Sequence, residues 1–393
     1  MTERNLDFDR VVNRKNTRSL KYDFAAERGY PEDVLPLWVA DMDFKTSSFV
    51  EDALAELTRH NIYGYSNTLP GDGFFEAVSG WMKKRHGWDV EPEWLVKTPG
   101  VCFALAAAIR AFTGPGDAVM IQQPVYYPFS SLIRRNGRFV VSSDLVRDAE
   151  GYDRMDFDDF EQKVEEHGVK LFILCSPHNP VGRVWTAEEL RKIGGICAAR
   201  GVTVFSDEIH ADFTWGVKHQ VFQETDPAFR AFTVTATAPS KTFNLAGLQQ
   251  SNIFIPNPEL WRAFTEEIAR TGYDEPTIFG IAAAQAAYAH GGEWYEAMKA
   301  YVWDNIRFAD RFVQERLPGV RMRRPEGTYL LWLDFRETGI PAAELDDRII
   351  HRARLWLDSG AIFGSAGKGF QRINAACPRS ILREALERLE GVL

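Results

Sequence analysis

AFTVTATAPSKTFNLAGLQ, residues 231–249, decides how the rest of the chain is read. Its first half is built from β-branched and small residues with no charge up to Pro239, and reads as a buried strand. Its second half is a small-residue turn, and Lys241 stands at the junction. Open α/β sheets present their ligands at strand ends. An amine placed there, partly removed from water and lowered in pKa, is the nucleophile that carbonyl chemistry uses. Taken alone it reads equally well as a solvated loop lysine, so its companions must decide.

Outward from this stretch, strand and helix patterns alternate. DAVMIQQ, KLFILCSP (170–177) and VTVFSDEI (202–209) read as strands, and VCFALAAAIRAF as a helix. Thr186 with Glu189 forms a capping box that opens another helix, and Ser48 with Glu51 forms one before EDALAELTRH. This alternation predicts an α/β fold with a mainly parallel central sheet flanked by helices. In the last ~75 residues short strands such as GTYLLWLDF and FQRINAAC mix with helices, which predicts a smaller C-terminal α+β domain. The expected division is an N-terminal arm over 1–47 packing with the small domain, a large cofactor-binding domain over 48–290, and the small domain over 291–393.

Length and charge narrow the function classes. A chain of 393 residues exceeds what one compact core holds. With 55 acidic against 46 basic residues the net charge is −9, which repels nucleic acid and anionic lipid. No apolar run approaches ~18–20 residues, so no membrane span is expected. The N-terminus is charged and lacks a signal-peptide core. Cys102, Cys175, Cys197 and Cys377 are scattered, as reduced thiols of a cytoplasmic protein would be.

Three strand ends carry polar residues in a telling order. SPHNPVGR follows KLFILC and brings Asn179; VTVFS leads to Asp207; VTATAPS leads to Lys241. Pyridoxal phosphate needs such a set: an aspartate to keep its pyridine nitrogen protonated, an amide near the phenolic oxygen, and a lysine in Schiff-base linkage to the aldehyde. Singly, Asn179 before Pro180 is ordinary turn chemistry and Asp207 a cap or metal ligand; jointly they favour the cofactor. TPGVCFALAAAIR places Gly100, Val101 and Cys102 where a turn enters a helix, with backbone donors for a phosphate. Tyr126, beside Tyr127 in QQPVYYPF, could lay its ring on the pyridine. Asp207, Glu208, His210 and Asp212 could instead suggest a metal, but successive residues of an extended run point in alternating directions, and no metal is expected. GSAGKGF (364–370) lacks P-loop spacing, and neither GxGxxG nor HExxH occurs.

These motifs, with LPLWVADMDF, YGYS (63–66), SKTFNLAGLQ, SDEIHADF and RINAACPRS, make the chain resemble the aminotransferase class I/II family of fold-type I pyridoxal-phosphate enzymes, and within it the cystathionine β-lyase-like carbon–sulfur lyases. The resemblance covers nearly the whole length. It implies that Lys241 is the Schiff-base lysine, Asp207 the partner of the ring nitrogen, Asn179 that of the ring hydroxyl, and Tyr126 the stacking ring, with a part in catalysis. It implies that Tyr65 reaches the phosphate of a neighbouring subunit, hence a homodimer with shared sites. Arg372 matches the arginine that holds the substrate α-carboxylate, a role its planar guanidinium suits. Trp38 and Ala40 would line the substrate pocket, and His210 stands near the ring oxygen where many relatives have tyrosine. Ala238 replaces a phosphate-binding serine of many relatives, leaving Thr237 or Ser240 to substitute. The implied reaction is β-elimination on L-cystathionine or another S-substituted L-cysteine, giving a thiol, pyruvate and ammonia. An aminotransferase with the same cofactor is the nearest alternative, and a regulatory binding protein on the same fold is one of another class.

Overall fold

The chain, described over residues 2–393 in a computed structural model, forms its large sheet from seven strands. They are β1 (Leu95–Thr98), β2 (Ala118–Ile121), β3 (Phe139–Ser142), β4 (Leu171–Cys175), β5 (Thr203–Asp207), β6 (Thr233–Thr237) and β7 (Ser251–Phe254). Their spatial order is β1-β7-β6-β5-β4-β2-β3. All run in one direction except β7, which is antiparallel to both neighbours. Strands β4 and β6 are buried along their whole length, which is why LFILC reads as a continuous apolar run and TVTAT carries no charge on either face.

Helices cover both faces. Ile173, Phe205, Val234 and Ala236 pack with the helix Val101–Phe112 on one side. Phe172, Leu174 and Val204 pack with Leu190 and Ile193 of the helix Ala187–Arg200 on the other. Burying each large apolar side chain contributes about 1.5–3 kcal/mol. Gly194 in the second helix is needed for close approach, since a Cβ there would lie 2.2 Å from the Phe229 ring.

The register lines up the strand ends that matter. Cys175 pairs with Asp207, and Asp207 with Ala236. The turns bearing Asn179, Asp207 and Lys241 therefore leave the sheet side by side at its C-terminal edge.

The capping box at Thr186 and Glu189 is present in full. The one expected at Ser48 is not. Ser47 is the cap of the helix Ser48–His60, its hydroxyl accepting from Phe49 N. Ser48 accepts from Arg4 N instead, and Glu51 accepts from Asn5. The carboxylate that serves this helix end comes from the arm: Glu3 accepts from Ser47 Oγ at 2.6 Å and Ser48 N at 2.8 Å. Only Ser48 has a glutamate three residues on, yet Ser47 is the cap, because a remote residue supplies the carboxylate at this helix end.

A second, antiparallel sheet has the order Arg321–Met322, Leu330–Asp334, Phe370–Asn374, Asp358–Ser359. Leu35–Pro36 pairs in parallel with Leu355–Trp356, and Leu37 O accepts from Asn374 N at 2.9 Å, so the segment before Trp38 is threaded against this part of the chain. Among the described residues no helix is long and apolar enough to cross a membrane.

Candidate active site

At the C-terminal edge of the sheet lies a cavity of about 290 Å³. Lys241 enters it from the short helix Pro239–Thr242, immediately after β6. Its Nζ donates to Ala40 O at 2.7 Å, an oxygen that also accepts from Tyr329 Oη at 2.9 Å. Burial lowers the Lys241 pKa to about 8; Asp41 opposes the shift and Arg372 adds to it. The amine is thus poised to lose its proton near neutrality.

Asp207 ends β5 inside the same cavity. Burial raises its pKa to about 7, and the one hydrogen bond its carboxylate accepts among the described residues comes from Ile209 N at 3.1 Å. A buried carboxylate so poorly satisfied calls for a further donor. Asn179 stands in the turn that follows β4, four residues after Cys175. Its Oδ1 accepts from Arg372 Nη1 at 3.0 Å. Because a guanidinium only donates, this contact fixes the amide and leaves its NH₂ as the group offered to the cavity.

Arg372, on the strand Phe370–Asn374, is held from three sides. Besides Asn179 it donates to Trp38 O at 2.7 Å and forms an ion pair with Asp358. Asp358 is paired with Arg372 across the small sheet, and burial raises its pKa. Sequence reasoning passed over Asp358 because nothing in the spacing ties it to an arginine fourteen residues on. Tyr329 was likewise missed, lying in a run that reads only as apolar strand.

Gly100 has φ 105°, which suits glycine, and a Cβ there would meet nothing within 4 Å, so this backbone borders open space. It caps the helix Val101–Phe112, whose first N–H groups have no partner within the helix. Gly100, Val101 and Cys102 all line the cavity. So does Ser240, whereas the Thr237 hydroxyl turns to Asn252 O across the sheet at 3.4 Å. Of the two hydroxyls expected to stand in for a serine at Ala238, the cavity receives only Ser240.

Tyr126, His210, Trp38 and Ala40 complete the wall. Burial pushes the Tyr126 phenol up and drives the His210 imidazole down, so the first is protonated and the second neutral. Tyr65 is not part of this chain's cavity; it is 96% exposed. The other acidic residues of DEIHAD diverge from Asp207. Glu208 accepts from Ser206, His219 and Phe222 N, and Asp212 from Trp81, His86 and Thr242.

The model of the family described as aminotransferase class I and II matches residues 32–389. The chain is 42% identical over 389 residues to cystathionine beta-lyase PatB of Bacillus subtilis, covering 99% of this chain and all of that one. The structure of cystalysin from Treponema denticola, which contains a pyridoxal 5'-phosphate cofactor, superposes with a TM-score of 0.94 at 38% identity over 98% of both chains. The PLP-bound C-S lyase from Staphylococcus hominis does so with a TM-score of 0.91 at 33% identity, again over 98% of both. The chain belongs to the aminotransferase class I and II family.

Proposed function

We infer that the protein is a pyridoxal-phosphate-dependent carbon–sulfur β-lyase, acting on L-cystathionine or other S-substituted L-cysteines. The observation that carries this is the convergence in one cavity of Lys241, Asp207, Asn179 and Arg372. The residues fit the cofactor. Asp207 lacks the donor that a protonated pyridine nitrogen brings, the Asn179 amide is free to donate to a phenolic oxygen, and Lys241 is an amine of lowered pKa. Gly100, Val101, Cys102 and Ser240 would hold the phosphate, and Tyr126 the ring face. When bound, pyridoxal phosphate supplies an electron sink for the bond broken at the substrate α-carbon.

The chain's own residues do the rest. Arg372, held rigid by Asp358, Asn179 and Trp38 O, would clamp the substrate α-carboxylate and so fix its amine and α-hydrogen. Lys241 Nζ, whose pKa burial lowers to about 8, takes the α-proton in its neutral form. Cleavage of the Cβ–S bond releases the thiol, which leaves with a proton from Lys241 Nζ or from Tyr126 Oη. One water is consumed overall, and the remaining carbons leave as pyruvate with ammonia.

The same reading treats 1–47 as an arm, 48–290 as the large domain and 291–393 as the small one, supported by the two separate sheets and by the pairing of Leu35–Pro36 with Leu355–Trp356. It also makes the protein a homodimer. A tyrosine as exposed as Tyr65, reaching the phosphate in a second subunit, accounts for a large aromatic left in water.

Purified protein incubated with cystathionine should release pyruvate and free thiol in equal amounts. Lys241→Ala should abolish both, together with the visible absorbance of the lysine-linked cofactor. Persistence of that absorbance would remove Lys241 from its role; stoichiometric keto acid without thiol would make the protein an aminotransferase.

A further inference from the structure

The wall of the cavity continues outward onto a feature that the elimination chemistry does not use. Trp38 lies between two arginines. Its carbonyl accepts from Arg372, while its indole is covered by the Arg28 guanidinium, centred 4.5 Å from the ring. Trp38 is itself stacked on Trp356, with ring centroids 4.5 Å apart and planes 11° apart, and Arg28 also lies 5.5 Å from Trp356. Tyr30 closes the far side of Trp356 edge-on at 5.0 Å. This platform holds the Arg28 cation in place.

Arg28 is otherwise unengaged. Among the described residues no carboxylate forms an ion pair with it and no side-chain hydrogen bond reaches it, although the chain pairs most of its buried arginines. It ends the short turn Ala26–Arg28, which Gly29 closes at φ 73°, and it is exposed. Its charge is felt at Tyr127, which lines the cavity, and at Asp358, which holds Arg372. Within the cavity itself Lys241, Asp207 and Arg372 are the charged side chains, and all three are taken up by the cofactor and the substrate's amino-acid end. A charged group on the leaving side of the substrate finds no partner there, and beyond the cavity wall the Arg28 guanidinium lies on the Trp38 indole with no carboxylate paired to it among the described residues.

We propose that Arg28 is a specificity-determining residue that receives an anionic group on the departing thiol, so that the preferred substrates are cysteine S-conjugates whose sulfur substituent ends in a carboxylate. This rests on the lyase reading above. The two guanidiniums then share one tryptophan as a spacer, Arg372 binding the α-carboxylate and Arg28 the distal one. Because Arg28 is exposed, its contribution is modest and salt-sensitive.

The test compares S-(2-carboxyethyl)-L-cysteine with its neutral isostere S-(2-carbamoylethyl)-L-cysteine, using the cofactor-loaded enzyme. The wild type should favour the acid in kcat/KM by about fivefold, a preference that fades with added salt. Arg28→Met should bring the ratio near one, Arg28→Lys should keep part of it, and Arg28→Glu should invert it. Dissociation constants of the corresponding α-methyl analogues, which have no α-proton to lose, should move in the same order. A ratio unaltered by Arg28→Met, or equal losses on both substrates, overturns the assignment and leaves the lyase reading intact. Absence of thiol and pyruvate from either substrate with wild-type enzyme would instead overturn the lyase reading.

Discussion

Asp207 and Asp212 are five residues apart, both buried, and opposite in every other respect. Asp207 faces the cavity with one backbone donor and a pKa raised to about 7 by burial. Asp212 sits behind the sheet edge, where it is equally deprived of water, yet Trp81, His86 and Thr242 hold its carboxyl below the usual range. Burial alone therefore does not mark a functional carboxylate. The mark is an unfilled set of hydrogen bonds, since a protein that merely needed an acid for stability would satisfy it.

The comparison is broken most directly by deleting each acid. Asp212→Ala strands three buried donors and should cost about 3–5 kcal/mol of stability, seen as a large fall in thermal midpoint. Asp207→Ala should leave the midpoint of the cofactor-free protein unchanged or higher, while kcat/KM on cystathionine falls about a hundred- to a thousandfold. If the two variants exchange these phenotypes, framework and site have been assigned the wrong way round.

A second expectation concerns pH. Asp207 has its folded pKa raised from 3.8 to about 7, so the stability it permits is complete below about 3.8 and is lost as pH rises through about 7. Asp212 has its folded pKa lowered from 3.8, so its contribution is present above about 3.8 and lost as pH falls through the lower folded value. Denaturant titrations of the cofactor-free protein should therefore show Asp207→Asn gaining on wild type between pH 4 and 8, by about 2–4 kcal/mol at the upper end. Saturating pyridoxal phosphate should cancel that gain, because the wild-type carboxylate then has its donor. A difference independent of pH would mean that Asp207 is already satisfied by the protein.

Much of this arrangement is legible in the amino-acid sequence. Strands β4, β5 and β6 are buried almost throughout because helices cover both faces of the sheet, and such runs end abruptly where the sheet edge meets the ligand. That is why Asn179, Asp207 and Lys241 stood out, and the cavity brings them together. What stayed hidden depends on pairing between remote segments. The antiparallel β7 carries no sign of its direction in SNIF. Asp358 meets Arg372 only because a two-residue strand is laid beside Phe370–Asn374. The choice of Ser47 over Ser48 as cap is made by Glu3, more than forty positions away. Asp212 was set beside Asp207 as a possible metal ligand, and only the positions of Trp81, His86 and Thr242 separate the two.

The smallest effect is expected where the two regions touch. Thr242 follows Lys241 in the same short helix, and its hydroxyl donates to Asp212 Oδ2 at 2.6 Å, so the framework acid anchors the turn that presents the amine. Thr242→Val keeps the shape of the side chain and removes this bond, leaving Asp212 with Trp81 and His86. The loss should be about 1–2 kcal/mol in stability and less than about tenfold in kcat/KM. Thr242→Ser should restore most of both. If Thr242→Val instead lowers turnover as far as Asp207→Ala while the midpoint holds, the hydroxyl acts on the placement of Lys241 Nζ itself, and the division between framework and site runs through residue 242 rather than behind it.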